Sequence, residues 1–474
     1  MLVGWCTGIA RVGLRVTRGR RWRCFGLLRS VGCVWACLLE INRWRRHRQG
    51  SLLVGYQELC RELSGAGPGT FGELDSVAAR SVLRRYSDAW FAAAKRRNGG
   101  DQNTRYPRRR RGLMPVRWYH GTFTLAGRRL RLPTGAGCWP LWVRLDRAIS
   151  YPVEQVRSVT LLSVGGRLAV EVTAEVPVVT YPAGLGPQAC RVAGVDPGII
   201  DPYAVAGPDR RGLLVSGRAI RAEHYQHLRE TRYRNRAVAA RAPKPGQRGS
   251  RRWKQYRRRR HQVEHRHRRR VRQAQHEAAR TVVDWAVAHW VGTLTIGDPR
   301  TVLEKPAGRR HNLRLRQWQI GRAINVLRDK AELAGITVHL VGERGTSSTC
   351  PTCAQRIPKP RGRALSCPRC QSTGHRDLVA AAIIGARTPG GAIITSGSVP
   401  LPEVITHRRA GRHLPGAGQS RRDPRRRPLA AALGPVGQPW PAPPPTVLGS
   451  RSTATKRRGS TTPTPEGKGQ WTRH

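Results

Sequence analysis

The sequence predicts a multidomain α/β protein, and three observations lead to this fold class. Between residues 191 and 386, short apolar strands alternate with amphipathic helices in the order β-β-β-α-β-α-β-α. Before them, residues 116–176 show the period-two alternation that is typical of antiparallel strands. After residue 387 the chain is rich in Pro, Arg, Ser, Thr and Gly, and such a composition buries too little apolar surface to offset chain entropy. We therefore expect a disordered basic tail over residues 388–474.

The charge of the chain indicates a polyanionic partner. The 474 residues, enough for two or three domains, include 87 Lys and Arg against 28 Asp and Glu, for a formal net charge of +59. Such an excess predicts nucleic-acid binding. Because we find no uninterrupted apolar run long enough to span a bilayer and no clear cleavage site for a signal peptide, we expect no membrane partner. We expect a cytoplasmic, nucleoid-associated protein with reduced cysteines outside the metal pattern described below.

The N-terminal part of the chain predicts a small β-domain that carries helices. Residues 1–30 are basic, show weak periodicity and contain no predicted strand. Helices are predicted over residues 33–48 and 73–97, because apolar residues of the second recur at spacings of three and four. Residues 155–164 and 167–176 flank Gly165 and Gly166, which is a strong hairpin signal. Residues 31–190 are therefore expected to form an antiparallel sheet or small barrel with a helical insertion.

The α/β part, residues 191–387, resolves into alternating elements. Strands are predicted near residues 192–196, 203–206 and 211–220, then at 293–296 and 336–341, and helices near 251–290, 313–334 and 378–385. A three-stranded meander followed by alternating helices and strands is the pattern of an RNase H-like fold. The first half of the long helix, residues 251–272, is too basic to pack in a core. We expect it to face nucleic acid, with its histidines on the surface.

Two CxxC pairs form the strongest local motif of the sequence. Cys350 and Cys353 lie in CPTC, and Cys367 and Cys370 lie in CPRC. Four thiolates at this spacing suit one tetrahedral, structural zinc ion. The alternative is a disulfide-bonded hairpin, which suits secreted proteins. Since a closed zinc site performs no chemistry itself, any catalysis has to come from nearby carboxylates.

Acidic residues at the ends of apolar strands stand out in so basic a chain. In an RNase H-like fold, such residues meet on one side of the sheet and bind two Mg²⁺ ions for phosphodiester cleavage. Asp196 ends the first strand of the α/β part, and Asp377 opens its last helix. Taken alone, Asp196 could belong only to a turn and Asp377 could be only a helix N-cap. Their joint position around the cysteine motif favours catalysis.

Several motifs together resemble the TnpB family, the OrfB-type proteins of insertion sequences, which are related to type V CRISPR effectors. These motifs are GVDPGIIDPYAV (194–205), LRQWQIGRAINVL (315–327), GITVHLV (335–341), and TSSTCPTC, CPRC and HRDLVAAAIIGA between residues 346 and 386. The resemblance covers about residues 30–387. It implies a wedge barrel with a helical recognition insertion over residues 31–190. It further implies a RuvC-like nuclease domain over 191–387 with a zinc ribbon at 344–376, a guide RNA and a target DNA.

The resemblance assigns catalytic roles to Asp196 and Asp377, but the middle acid departs from the family pattern. Where the family usually has Ile-Glu-Asp-Leu, this chain has Gly297 and Asp298 after Ile296. One interpretation moves the glutamate to Glu343, at the end of the neighbouring strand. A second interpretation substitutes Asp298, and a third regards the site as inactive.

Glu304, in a loop, is a further and weaker candidate. Glu343 could also be a surface acid that pairs with a local arginine. In the first interpretation, Asp196, Glu343 and Asp377 bind the catalytic Mg²⁺.

We thus expect an RNA-guided DNA endonuclease of the kind often described as a transposase because it travels with transposons. A tyrosine transposase with its His-x-His metal site is disfavoured, because His265 and His267 lie in a basic helix. The alternatives are a nuclease-dead, RNA-guided DNA-binding repressor and a plain zinc- and nucleic-acid-binding protein without a guide. Residues 108–111 and 251–272 are the segments expected to contact RNA and heteroduplex. The oligomeric state is open, with a homodimer among the alternatives.

Overall fold

The structure, a computed structural model, describes residues 5–65, 72–108, 112–181, 186–299, 308–358, 362–387 and 398–414. Within these residues it contains two large sheets and one small hairpin, which is formed by β13 (Ala364–Ser366) and β14 (Thr373–His375). The first sheet lies in the N-terminal part of the chain and the second in the α/β part. Each packs against its own set of helices, and each has its own apolar core.

The N-terminal sheet has seven strands and is antiparallel throughout. Its strands are β1 (Trp5–Arg15), β2 (Val116–Tyr119), β3 (Thr124–Ala126), β4 (Arg129–Leu132), β5 (Leu141–Leu145), β6 (Val156–Val164) and β7 (Arg167–Pro177), in the spatial order β2-β6-β7-β1-β5-β4-β3. The predicted hairpin is present as β6 and β7, and Gly165 and Gly166 form its turn at φ values of 60° and 76°. Both lie in the left-handed region that favours glycine.

Strand β1 corrects the prediction that residues 1–30 contain no strand. Residues 5–13 pair with β7, and Leu14 and Arg15 pair with β5, so that the sheet curls where β1 changes partner. The sequence signal of β1 was weak, because Gly8 and Gly13 interrupt its pattern of side chains. Both glycines face side chains of neighbouring segments that leave no room for a Cβ.

Three helices follow β1 and cover the curled sheet. They are α1 (Arg18–Arg48), α2 (Tyr56–Ser64) and α3 (Ser76–Asn98). Helix α1 begins well before the predicted start at residue 33. By length and composition, α1 is also apolar enough to cross a membrane. Its apolar side chains, including Leu27, Leu28 and Val31, are buried in the core of this domain, which accounts for their apolar character.

The second sheet carries the α/β part. Its strands are β8 (Gln188–Asp196), β9 (Tyr203–Ala206), β10 (Arg211–Ser216), β11 (Val291–Asp298), β12 (Thr337–Gly342) and β15 (Val404–Arg409), in the order β12-β11-β8-β9-β10-β15. Strands β8, β11 and β12 are parallel, whereas β9 is antiparallel to both of its neighbours. The helices are α4 (Arg218–Ala239), α5 (Arg251–Ala288), α6 (Arg309–Trp318), α7 (Ile320–Leu333) and α8 (Arg376–Gly385).

The two faces of this sheet are covered by different helices. Val195 and Ile296 join a core that includes side chains of α5 and α7. On the other face, an added Cβ at Gly194 would lie 1.9 Å from the carbonyl oxygen of Ala381 on α8. Glycine at this position therefore allows the backbone of α8 to approach β8 closely. The close approach brings the start of α8 next to the carboxyl ends of the parallel strands.

Helix α4 was not predicted, and its first three residues, 218–220, were expected to end the third strand. It packs against α5 and buries His267, which was predicted to be a surface group. His267 lies 3.2 Å from both Glu223 and His224, and its ring stacks on His227 with a centroid distance of 3.8 Å. The prediction treated the basic helix as isolated, with all of its histidines exposed. In the structure α4 covers one of them, His267. The predicted helix over 313–334 is likewise divided, since Gln319 has a φ of 50° between α6 and α7.

The predicted disordered tail requires one correction. Strand β15 lies within residues 388–474 and pairs in parallel with β10 at the edge of the second sheet. The sequence of this strand, VITHRR, is short and basic. The prediction of disorder rested on the composition of the whole tail, which masked the short alternating pattern of this strand. The other tail residues, 388–397 and 415–474, lie outside the described residues.

Candidate active site beside a four-cysteine cluster

Three neighbouring parallel strands place their carboxyl ends together at one edge of the second sheet. Gly297 on β11 pairs with Val341 on β12, and Ile296 pairs with Val195 on β8. Since side chains alternate along a strand, Asp196, residue 297 and Glu343 all belong to the face covered by α8. The edge beyond the carboxyl ends of parallel strands is the usual place for a functional site in open α/β sheets.

The side chain of Glu343 lies over Gly297. A Cβ added to Gly297 would lie 2.6 Å from Cγ of Glu343 and 2.7 Å from its Oε1. Glu343 therefore fills the space that a side chain of residue 297 would enter. This position agrees with the interpretation in which the acid has moved from 297 to 343. Asp298 follows Gly297 directly, and its carboxylate is close enough to raise the pKa of Glu343.

The backbone on both sides of Glu343 is fixed by neighbouring groups. Arg387, which follows α8, donates hydrogen bonds to the carbonyl oxygens of Gly342 and Arg344. Thr346 donates from its backbone N–H and its hydroxyl to the carbonyl of Glu343, at 3.2 and 3.0 Å. Thr346, the first threonine of the TSST motif, therefore closes the turn that positions the Glu343 carboxylate.

The electrostatics of the site show a cluster of like charges with too few protein partners. Burial and the nearby carboxylates of Asp196 and Asp298 raise the pKa of Glu343 to about 8. Burial also raises the pKa of Asp196 to about 6, although Arg376 and Arg363 act in the opposite direction. Among the described residues, the buried Oε1 of Glu343 has no hydrogen-bond partner. A buried carboxylate without a partner is unstable unless it gains a proton or a cation.

The third predicted acid, Asp377, lies in the first turn of α8 and is buried. It forms a salt bridge with Arg363, which comes from the segment between the two cysteine pairs, and Arg376 approaches its other oxygen at 3.5 Å. Because Arg363 affects the pKa of Asp196 and pairs with Asp377, it connects the two predicted acids.

Two further residues of the site were missed by sequence reasoning. Ligand atoms of Asp201, His375 and Asp377 all lie within 4.8 Å of one another. Asp201 is the second aspartate of GVDPGIIDPYAV, and His375 directly precedes Arg376 at the start of α8. Their signal was present in the motifs, but a turn aspartate and a lone histidine are each usually structural residues.

The four cysteines of the CxxC pairs come together as predicted. Their sulfur atoms lie within 4.8 Å of one another, with 3.5 Å between the Sγ atoms of Cys350 and Cys370 and 3.7 Å between those of Cys353 and Cys367. All four are free thiols, so the disulfide alternative does not apply to them. Each pair is followed by a residue in the left-handed conformation, Ala354 or Gln371. The backbone N–H of that residue donates a hydrogen bond to the carbonyl oxygen of the first cysteine of the pair. This donor set fits a tetrahedral zinc ion.

Comparisons with known proteins agree with this arrangement. Residues 321–384 match the family model of the Cas12f1-like TNB domain. The structure of a Cas12f1–sgRNA–target DNA complex is similar in fold, with a TM-score of 0.58 and 12% identity over 78% of this chain and 83% of that chain. A mini-RNA-guided endonuclease, CRISPR-Cas_phi3, matches more loosely, with a TM-score of 0.42 and 10% identity over 81% of this chain and 92% of that chain. No curated protein gives a significant match.

The matched segment and the fold likeness to Cas12f1 support the resemblance to the TnpB family. The matched segment contains most of α7 and α8, together with β12, Glu343 and all four cysteines. These are among the elements on which the resemblance was strongest. The fold is a mixed α/β fold that resembles Cas12f1.

The chain also presents a basic cleft between α4 and α5. The cleft has a volume of about 660 Å³, and its lining includes the rings of Tyr233 and Tyr256 and several guanidinium groups. Its arginines are Arg234, Arg241, Arg259, Arg260, Arg266 and Arg270. Arg241 stacks over the ring of Tyr256 at 4.6 Å. Arginines combined with aromatic faces are suited to phosphate groups and unpaired bases.

Two predicted features lie outside the described residues. Glu304 is one, and residues 109–111 of the arginine run are the other. The basic half of α5 is mostly exposed, and its buried residues are His267 and Val271.

Proposed function

We propose that this protein is a transposon-associated, RNA-guided DNA endonuclease with a RuvC-like nuclease domain over residues 191–387. The observation that carries the proposal is the position of the Glu343 carboxylate over Gly297, beside Asp196 at the ends of parallel strands. The fold likeness to a Cas12f1 complex that contains guide RNA and target DNA supports the choice of substrate.

Asp196, Glu343 and Asp377 are the residues that would hold Mg²⁺. The donor set fits, because carboxylate oxygens are the ligands that Mg²⁺ prefers and Oε1 of Glu343 has no partner among the described residues. When bound at such a site, divalent cations supply an activated water and stabilise the leaving oxygen of a phosphodiester. The chain itself contributes the fixed backbone around Glu343 and the buried position of Asp377.

Arg363 supplies a positive charge at the same edge. In this structure its guanidinium pairs with Asp377, and it is partly exposed. A guanidinium in this position can bind a phosphate of the DNA strand and direct the strand towards the carboxylates. The zinc cluster is structural in this proposal, since it holds the segment from which Arg363 projects.

Sequence recognition is assigned to the RNA. In RNA-guided systems, base pairing reads the target while the protein binds the backbone and reads a short flanking motif. The basic cleft between α4 and α5 and the exposed half of α5 provide the phosphate-binding surface for that task.

The test is DNA cleavage by the full chain purified with RNA transcribed from the flanking sequence. The substrate is a plasmid library in which a guide-matched target adjoins randomised bases, with Mg²⁺ or with EDTA. We expect cuts that need the guide, Mg²⁺ and Glu343, and that are lost in Glu343→Gln. Glu332→Gln is the matched control, because Glu332 is a half-exposed acid of α7 that pairs only loosely with Arg328. Guide-dependent binding without cuts would overturn the nuclease and leave an RNA-guided DNA-binding protein.

A further inference from the structure

We propose that Asp201, His375 and Asp377 form a second cation site, which takes a divalent transition metal through one imidazole nitrogen and two carboxylates. The site shares Asp377 with the carboxylate set described above, but Asp201 and His375 are new ligands. This inference rests on the proposed function only for its role in cleavage. Metal binding at the site can be measured without DNA.

The three ligands are placed by different parts of the fold. Asp201 closes the turn after β8, where its carbonyl accepts the N–H of Gly198 at 3.1 Å. His375 ends β14 (Thr373–His375), a strand of the small hairpin beside the cysteine cluster. Asp377 begins α8. The meander, the cysteine-rich segment and the last helix thus converge so that all three ligand atoms lie within 4.8 Å of one another.

One nitrogen of His375 lacks a partner. Nδ1 of His375 is buried and accepts or donates no hydrogen bond among the described residues. A buried imidazole nitrogen is normally satisfied by a hydrogen bond or by a metal. Because the ring of this histidine also offers a ligand atom beside two carboxylates, a metal is the matching partner.

A cation already occupies part of this group. The guanidinium of Arg363 pairs with Asp377 and lies 3.8 Å from Asp201. The two carboxylates therefore attract positive charge in this state of the protein, and a divalent ion would have to displace Arg363 from Asp377. The ion and the arginine are competitors for the same oxygen atoms.

The ligand chemistry indicates which ions fit. Mg²⁺ prefers oxygen ligands only, whereas imidazole suits transition metals, and Mn²⁺ accepts a mixed set of nitrogen and oxygen donors. Of the ions that also support phosphodiester cleavage, Mn²⁺ is the one that this site should favour over Mg²⁺. The imidazole therefore determines the metal preference of the nuclease.

The direct test uses Mn²⁺ as the probe on the full, zinc-loaded protein without nucleic acid. Pulsed electron paramagnetic resonance detects a ¹⁴N nucleus bound to Mn²⁺. We expect a nitrogen signal in the wild type that is lost in His375→Ala, together with a Mn²⁺ affinity that is weaker by roughly 10- to 100-fold. His407→Ala is the matched control, because His407 lies close enough to influence the charge of His375 but is not one of the three ligands.

Arg363→Gln provides a second arm that does not depend on loss of a ligand. Removing the competing guanidinium should tighten Mn²⁺ binding and keep the nitrogen signal. Absence of a ¹⁴N signal in the wild type and in Arg363→Gln would overturn the proposal, even if guided cleavage occurs with Mg²⁺. A nitrogen signal that needs His375 would support it, even if no DNA is cut, and in that case the proposed nuclease function alone would fail.

Discussion

Substitution of Gly297 by alanine should disable the site without removing any of its acids. The added Cβ would lie 2.6 Å from Cγ of Glu343, 2.7 Å from its Oε1 and 2.8 Å from Cδ1 of Ile384. Non-bonded carbon atoms prefer separations of about 3.5–4.0 Å, so the carboxylate has to move by roughly 1 Å. Because Ile384 is fully buried on α8, the displacement falls on Glu343.

A displacement of this size has a predictable effect on rate. A catalytic group misplaced by about 1 Å loses roughly 100-fold in rate, or about 2.7 kcal/mol of transition-state stabilisation. Overpacking should also lower the free energy of unfolding by about 1–3 kcal/mol. Single-turnover cleavage by the assembled RNA–protein complex measures the first effect, and urea unfolding measures the second.

Gly342→Ala is the control for this prediction. Gly342 adjoins Glu343 in the chain, but an added Cβ there meets nothing within 4 Å, so we expect near wild-type cleavage. The destabilisation caused by Gly297→Ala should also become smaller in a Glu343→Gly background, which vacates most of the contested space. Full activity of Gly297→Ala would refute the placement of Glu343 and all reasoning that depends on it.

Further predictions concern the pH response, the zinc cluster and the N-terminal domain. Because the folded state raises the pKa of Glu343 from 4.5 to about 8, zinc-loaded protein without Mg²⁺ should lose stability as pH rises through that window. Urea unfolding without added Mg²⁺ should show a weaker pH dependence for Glu343→Gln. Cys367→Ser should abolish stoichiometric zinc, as measured by atomic absorption, because a structural site needs all four ligands. Asn42→Ala should lower the free energy of unfolding by about 2 kcal/mol or more, since it strips both backbone partners from Leu53. Deletion of residues 1–17 should yield insoluble protein, because it removes β1 from the middle of a sheet.

The sequence predicted those parts of the protein whose signal is local. The CxxC pairs, the Gly165–Gly166 hairpin and the strands that end at Asp196 and Asp298 each depend on residues close together in the chain, and all appear in the structure. The placement of Glu343 could be suggested because it required only that two adjacent strands be parallel.

Other features depend on contacts between distant segments and left weak local signals. Strand β1 is recognisable only through its pairing with β5 and β7, and β15 only through its pairing with β10. Burial of His267 requires helix α4, whose buried residues Glu223, His224 and Val238 include only one apolar side chain and so leave no apolar stripe to predict it. Asp201 and His375 became candidates only when the fold placed them beside Asp377.

The central claim is that a carboxylate over position 297 completes the nuclease site, whichever residue supplies it. The most direct measurement is guided DNA cleavage by the double variant Gly297→Glu/Glu343→Gly, compared with Glu343→Gly alone. We expect the single variant to be inactive and the double variant to regain Mg²⁺-dependent cleavage, because a glutamate at 297 enters the same space from the neighbouring strand. Cleavage by Glu343→Gly at the wild-type rate would contradict the claim, as would a folded, RNA-bound double variant without activity.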